Sequence, residues 1–242
     1  MWKSSSYEVV GRGHAKMGLP CQDKTLGLEF DGATVIALAD GAGSAKASDV
    51  GAAIATETAT QFVAQNFEAL YIETDGQLVK FQICEAVLSK LEAASKEMAC
   101  KLSDLASTLL LAAVKDDRFL MVHIGDGVIG CLKGSEMVVA SKPHNGEFAN
   151  ETVFTTSAGS IDVMKIIKGE IGQINGFVLM SDGSATSLYN SRTQQFAATV
   201  AQIVKKNIAS SNENMTKMIR HLFDEFIVKR TTDDCSIIVL SK

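Results

Sequence analysis

Short apolar runs dominate this chain, among them ATVIALA (33–39), TLLLAAV (108–114), RFLMVHI (118–124), FVLM (177–180) and CSIIVL (235–240). Each is too short for a helix that buries itself, and too apolar for a strand with one face in water. Such strands must be covered on both faces. Several stop at an aspartate: Asp40 closes VIALAD, Asp126 follows LMVHIG, Asp182 follows FVLMS, Asp233 precedes CSIIVL in RTTDDCS, and Asp23 lies in LPCQD. Three of these, Asp40, Asp126 and Asp182, are followed by glycine. Glycine allows a sharp turn or a close backbone approach, so such ends hold carboxylates at the rim of a sheet. Five carboxylates gathered there would form an oxygen-rich pocket suited to hard divalent cations.

The rest of the pattern decides the architecture. Strands are expected at 7–11, 25–30 and 33–39. Helices follow from Ser48 or Asp49, either of which is an N-cap residue, to about Leu70, and from about Gly76 to Lys101. Val50, Ile54, Thr58, Phe62 and Phe67 mark one face of the first; Leu78, Phe81, Ile83, Val87, Leu88, Leu91 and Met98 mark one face of the second. A hairpin turns at Asp116-Asp117 between 108–114 and 118–124, and 128–132 with 137–140 continue it around Gly134. Residues 141–175 are irregular, with strands expected near 152–155 and 163–168. Residues 177–180 are a buried strand, 184–190, 193–208 and 212–228 are helices, and 235–240 is the final strand. Hairpins beside paired helices, without strict strand–helix alternation, predict an α+β fold: an antiparallel β-sandwich flanked by α-helices, in four αββα layers.

Residues 1–242 read as a single domain. At 242 residues and 46% hydrophobic content the chain can bury a large core, and its two prolines, Pro20 and Pro143, mark no linker. The net charge of −5 comes with scattered Lys and Arg, which argues against nucleic acid as a partner. No run approaches a membrane span and the start, MWKSSSYEVVGRGH, has no apolar signal core, so a soluble, cytoplasmic monomer is expected. Five widely spaced cysteines, with no C-x-x-C pair, suggest neither a disulfide framework nor a thiolate zinc site.

The ordered set CQDK (21–24), ADGAGSAKASDVGA (39–52), STLLLAAV (107–114), HIGDG (123–127), MSDG (180–183) and TDDCSIIV (232–239) resembles the metal-dependent serine/threonine protein phosphatases of type 2C. It is most similar to their compact bacterial branch, in which a Gly-x-x-His element and Pro-Cys-Gln-Asp precede Asp-Gly-Ala-Gly. Asp-Gly alone is common in turns, whereas six motifs in the family's order are specific. The resemblance implies hydrolysis of phosphoserine or phosphothreonine in a protein substrate, opposing a Ser/Thr kinase. It implies two Mg²⁺ or Mn²⁺ ions bridged by the attacking water, with Asp40 touching both, the Gly41 carbonyl adding a ligand, and Asp182 and Asp233 holding the second ion. Asp23 then meets the metals largely through water, and Asp126 helps to bind a third.

Asp233 is preferred to Asp234 because it stands three residues before Ser236, the family's frame for the ligand; Asp234 takes a place often held by asparagine. Three departures stand out. Ala42 replaces a histidine that eukaryotic members offer to the leaving group, Gly18 replaces an arginine that grips the phosphate, and Gln22 replaces a glutamate. His14 is the first substitute for the phosphate contact and Arg12 the second. The segment 142–150 reads either as an ordinary loop or as a substrate flap bringing His144, Asn145 or Asn150 to a phosphopeptide. His123 is expected to be a satisfied core histidine, and His221 to face solvent or cap a helix. These departures motivate an alternative function, a catalytically weak or inactive regulatory module that binds a phosphoprotein. A hydrolase of small phosphoesters is a third reading.

Overall fold

The computed structural model describes residues 1–144 and 152–242. The chain opens with β1 (Lys3–Val9), a short helix α1 (Arg12–Met17) and the hairpin β2 (Lys24–Phe30) and β3 (Ala33–Ala39). Helices α2 (Ser48–Ile72) and α3 (Gly76–Glu97) lead to β4 (Leu109–Lys115), β5 (Arg118–Ile124), β6 (Val128–Lys133) and β7 (Glu136–Ser141). Then come α4 (Ser160–Val163), β8 (Lys165–Glu170), β9 (Ile174–Met180), α5 (Asp182–Leu188), the small hairpin β10 (Tyr189–Asn190) and β11 (Gln195–Phe196), α6 (Ala198–Ala209), α7 (Asn212–Leu222) and β12 (Cys235–Ser241).

Two five-stranded sheets, β1-β12-β9-β6-β7 and β2-β3-β4-β5-β8, form the sandwich, and every neighbouring pair in them is antiparallel. The double burial expected of the apolar strands has a direct cause. In β3, Val35, Ala37 and Ala39 face α2 and α3, while Ile36 and Leu38 point into the space between the sheets. In β12, Ile237 and Val239 face α6 and α7, while Ile238 and Leu240 meet the other sheet. Strand alternation thus feeds two different cores, giving the four αββα layers.

The two long helices present the expected faces in part. In α2, Phe67 is in the core and Val50, Ile54 and Phe62 pack against it, while Ala52, Ala55, Thr56, Ala59 and Thr60 are fully buried beside them, and Gly51 lies against the Leu105 backbone. Helix α3 buries Val79, Ile83, Cys84, Val87 and Leu91, and leaves Leu78, Phe81 and Met98 exposed. Residues 10–11 leave the first sheet to start α1, which the sequence reading had merged into a strand. The segment 152–155 is no strand, since Phe154–Ser157 closes a turn. The helix expected from 193 begins only at Ala198, because Asn190 accepts hydrogen bonds from Arg192 and Thr193 and closes a hairpin. The helix expected over 212–228 ends at Leu222 and continues as a π turn, Phe223–Ile227. Among the described residues no helix is long and apolar enough to cross a membrane.

Register brings the aspartates together. Lys24 pairs with Ala39, so Asp23 and Asp40 lie side by side. Strands β3 and β5 each run antiparallel to β4, which puts Ile124 and hence Asp126 at the same rim. In the other sheet Ile237 pairs with Met180, bringing Asp233 to Asp182. Face-to-face stacking of the sheets then joins the two rims.

Phe177 is fully buried between the sheets, with ring centroids 5.6 Å from Phe119 and 6.1 Å from Trp2. Phe177→Ala is expected to cost about 3–5 kcal/mol of stability. Urea denaturation should show this as a lower midpoint at an unchanged slope.

Candidate metal centre

Asp40 is held from both sides by its own backbone. Its N–H donates to Thr108 Oγ1 at 2.9 Å, its carbonyl accepts from Thr108 N–H at 2.8 Å, and Gly41 N–H donates to the Gln22 carbonyl. A side chain at residue 41 would meet Ser48 and the Gln22 carbonyl at under 3 Å, so Gly41 is required for this close approach. Gly183 meets the same demand from the Asp234 carbonyl, which places Asp182 at the first turn of α5. Asp23 is fully buried, Asp40, Asp126 and Asp182 are half-buried, and Asp233 is the exposed member.

The five carboxylates share one electrostatic neighbourhood. Burial pushes Asp23 up to about 7, helped by Asp234 and Asp182 and opposed by the hydroxyls of Ser236 and Ser181. Burial also raises Asp182 to about 6, together with the charges of Asp126 and Asp233. Asp40 is driven well above the usual carboxylate range by desolvation, then by Asp23 and Asp182. Asp233 is raised by burial and by Asp234 and Asp126. Loss of water and mutual repulsion act in the same direction at each.

Among the described residues no three His, Cys, Asp or Glu side chains converge closely enough to hold an ion. The carboxylates are near enough to repel, yet not drawn to a common point. Their chemistry still suits a cation. Among the described residues, both oxygens of Asp23 and Oδ1 of Asp182 are buried without a well-formed hydrogen bond, the Ser181 and Ser236 hydroxyls lying near Asp23 without closing one, and such atoms are costly unless something positive meets them. The donors are all oxygen, which suits Mg²⁺ or Mn²⁺ better than zinc.

Asp233 and Asp234 have different surroundings. Asp234 is 2% exposed, and its carboxylate accepts from Gly11 N–H and Gln22 N–H, both at 2.6 Å, with His14 Nδ1 at 3.0 Å. Those oxygens are occupied. Among the described residues Asp233 accepts from the Asp234 N–H through Oδ1, and its charge is felt by Asp40 and Asp182. Asp126 accepts from Thr152 Oγ1.

Arg12 is exposed and donates through Nε to the Thr231 carbonyl. Gly18 caps α1 with φ of +69° and open space around it, so that position is a helix terminus turned from the carboxylates. Ala42 is buried. His123 is the satisfied core histidine expected. Its Nε2 lies 3.0 Å from the Gly125 carbonyl and so carries the proton, while Nδ1 accepts from Ser141 Oγ at 2.7 Å; burial pushes the ring down to about 3. His144 donates its backbone N–H to the same Gly125 carbonyl. His221 is exposed at the end of α7. Asn145 and Asn150 lie outside the described residues. Sequence reasoning missed the hydroxyls around the carboxylates, Thr108, Ser181 and Ser236 among them; the only signal was their place beside the Asp-Gly and Asp-Asp motifs. Beside the Asp40 loop opens a groove of about 370 Å³, lined by Ala42, Ser44, Ser103, Phe154, Thr156 and Ser157 among others.

Comparison with known proteins agrees with this geometry. The profile of the protein phosphatase 2C family matches residues 10–220. Serine/threonine-protein phosphatase 3 of Escherichia coli K12 is 24% identical over 251 residues, covering 99% of this chain and 98% of that protein. Among solved structures, PppA of Pseudomonas aeruginosa, described as a key regulatory component of its T6SS, aligns with a TM-score of 0.67 at 18% identity, over 99% of this chain and 97% of that one. The serine/threonine phosphatase Stp1 of Staphylococcus aureus aligns with a TM-score of 0.66 at 14% identity, over 100% and 95%. The chain belongs to the protein phosphatase 2C family, whose members are in general metal-dependent protein phosphatases.

The raised carboxylates set a pH dependence. A carboxyl whose folded pKa lies above its unfolded value of about 4 stabilises fully below that value and loses the contribution as pH rises through the folded pKa, here about 7 for Asp23. His123, with its folded value near 3, acts in the opposite sense, stabilising above about 6.5 and losing that as pH falls. A difference between variants removes this offset. In EDTA, Asp23→Asn should melt higher than the parent at pH 8, by on the order of a few kcal/mol in stability, and the difference should shrink toward zero below about pH 4, where the carboxyl is neutral in both the folded and the unfolded chain. Equal melting temperatures at pH 8 would contradict the assigned shift.

Proposed function

We propose that this chain is a Mg²⁺- or Mn²⁺-dependent phosphatase acting on phosphoserine and phosphothreonine in proteins, with residues 1–242 as one catalytic domain. The observation that carries the reading is the gathering of Asp23, Asp40, Asp126, Asp182 and Asp233 at the joined rims of two sheets, in a chain of this family. The name of the E. coli relative supports Ser/Thr-linked phosphate as the substrate class.

Asp40, the Gly41 carbonyl, Asp182 and Asp233 would hold two ions, with Asp23 behind them and Asp126 available to a third. When bound, such ions neutralise phosphoryl charge and supply a water that is nucleophilic at neutral pH. The chain itself does the positioning. Thr108 keeps Asp40 at the strand end, and the Asp234 N–H holds Oδ1 of Asp233. His14, with Arg12 as the more exposed second, takes the phosphate contact that Gly18 cannot make. Ala42 has no proton to give, so the leaving alkoxide draws its proton from solvent. The groove beside the Asp40 loop gives the flanking peptide a bed of hydroxyls and one aromatic ring, Phe154. A cytoplasmic monomer working against a Ser/Thr kinase completes the reading.

The partnerless oxygens of Asp23 and Asp182 favour turnover over a regulatory module that only binds phosphoprotein. A chain without bound cations has no evident reason to bury them. Phosphate release from a phosphothreonine peptide should require Mn²⁺ or Mg²⁺ and stop in EDTA. Asp40→Ala should lower kcat/KM on the order of a thousandfold, the equivalent of several kcal/mol of lost charge stabilisation. Undiminished release in EDTA would defeat the proposal.

A further inference from the structure

The strongest unassigned arrangement is the triangle of α1, the Thr232–Asp234 turn and the start of β2. Helix α1 rests directly on that turn. Gly13 donates to the Thr232 carbonyl at 2.8 Å, and a Cβ at Gly11 would overlap the Asp233 carbonyl. The glycines of Gly11-Arg12-Gly13-His14 therefore let the helix backbone come close enough for His14 to reach Asp234. The imidazole is 12% exposed, with Nδ1 at 3.0 Å from Asp234 Oδ2. Its other nitrogen faces the loop leaving Asp40: a Cβ at Gly43 would lie 3.8 Å from Nε2, in ordinary contact.

Resting on the phosphatase reading above, we propose that Asp234 is a positioning residue that orients His14 for the substrate phosphate. Two backbone N–H donors, Gly11 and Gln22, bond its carboxylate, and the Nδ1 of His14 faces Oδ2 at 3.0 Å, in contact without closing a hydrogen bond. A carboxylate can receive all three groups, while an asparagine has one acceptor oxygen and would turn an NH₂ toward donors. The acid at this position is thus matched to a histidine at 14. With Nδ1 turned to Asp234, Nε2 is the nitrogen left for a phosphate oxygen, placing the ring between two anions. His14 in this way occupies, from the N-terminal side, the role for which the chain has neither an arginine at 18 nor a histidine at 42. Asp234 also donates its own N–H to Asp233 Oδ1, so one turn sets a phosphate contact and a candidate metal ligand together.

The test is steady-state kinetics on a phosphothreonine peptide at saturating Mn²⁺. His14→Ala is expected to raise KM about tenfold or more, with a smaller change in kcat. Asp234→Asn should raise KM to a similar extent, and in the His14→Ala background it should change KM less than twofold. Additive losses, or a loss in Asp234→Asn confined to kcat and melting temperature, would make Asp234 a structural clasp and overturn the inference. An unchanged KM in His14→Ala would overturn it as well, even with full turnover by the parent. Absence of turnover by the parent in Mn²⁺ or Mg²⁺ is a different failure, that of the phosphatase reading. If Asp234→Asn does not fold, long-range ¹H–¹⁵N spectra of the parent imidazole decide: Nδ1 protonated and hydrogen-bonded is expected, and a proton on Nε2 alone counts against the assignment.

Discussion

Loss of water around clustered carboxylates, reinforced by their mutual repulsion, is the constraint around which the rest of this fold is arranged. Asp23, Asp40, Asp182 and Asp233 all have their pKa values raised, with desolvation the leading cause at each. Like charges in such a place favour separation, and only a rigid frame keeps them together. That frame is two doubly buried sheets, whose strands bring apolar side chains to both a helix-facing and an intersheet core. Each well-buried Leu, Ile, Val or Phe contributes roughly 1.5–3 kcal/mol, so a few intersheet contacts offset the shift at any one carboxylate. The stability of the sandwich and the readiness of its rim to take up cations are two sides of one balance.

Much of this was legible in the sequence because strand ends are local facts. β3 and β5 coincide with the expected 33–39 and 118–124, since unbroken apolar runs end there at a turn. The aspartates were legible for the same reason: each lies next to such an end, and an antiparallel sheet returns its ends to the same rim. Helix faces were less legible. In α2 a fully buried stripe of Ala52, Ala55, Thr56, Ala59 and Thr60 lies beside the expected larger residues, and hydrophobic spacing undervalues it because close backbone approach selects for size rather than for apolarity. The α1 helix was invisible because six residues with two glycines carry no periodicity.

What the sequence could least reveal was which neighbour occupies which oxygen. Asp233 and Asp234 are adjacent and chemically identical, yet one keeps its carboxylate among the other acids while the second is bonded by Gly11 and Gln22 and touched by His14. Both donor segments lie more than 200 residues earlier in the chain. Nothing local to RTTDDCS encodes that choice. The frame set by Ser236 points to Asp233 through family resemblance; the physical difference between the two appears only when α1 is seen pressed against the turn.

The departures from the family pattern then become a coherent set. Gly18, read as a lost arginine, is the left-handed cap that ends α1, and with φ positive a long side chain there would be strained. Ending the helix at that point sets its length, and with it the height of His14 above Asp234. Ala42, read as a lost histidine, lies buried with its N–H given to the Ala106 carbonyl. The loop from Asp40 to Gly43 is therefore drawn inward and leaves its outer side open to Nε2 of His14. A charge removed at one position and a ring removed at another are answered by a single imidazole approaching from a different element, and it can approach only because Gly11 and Gly13 have no side chains to hold the helix away.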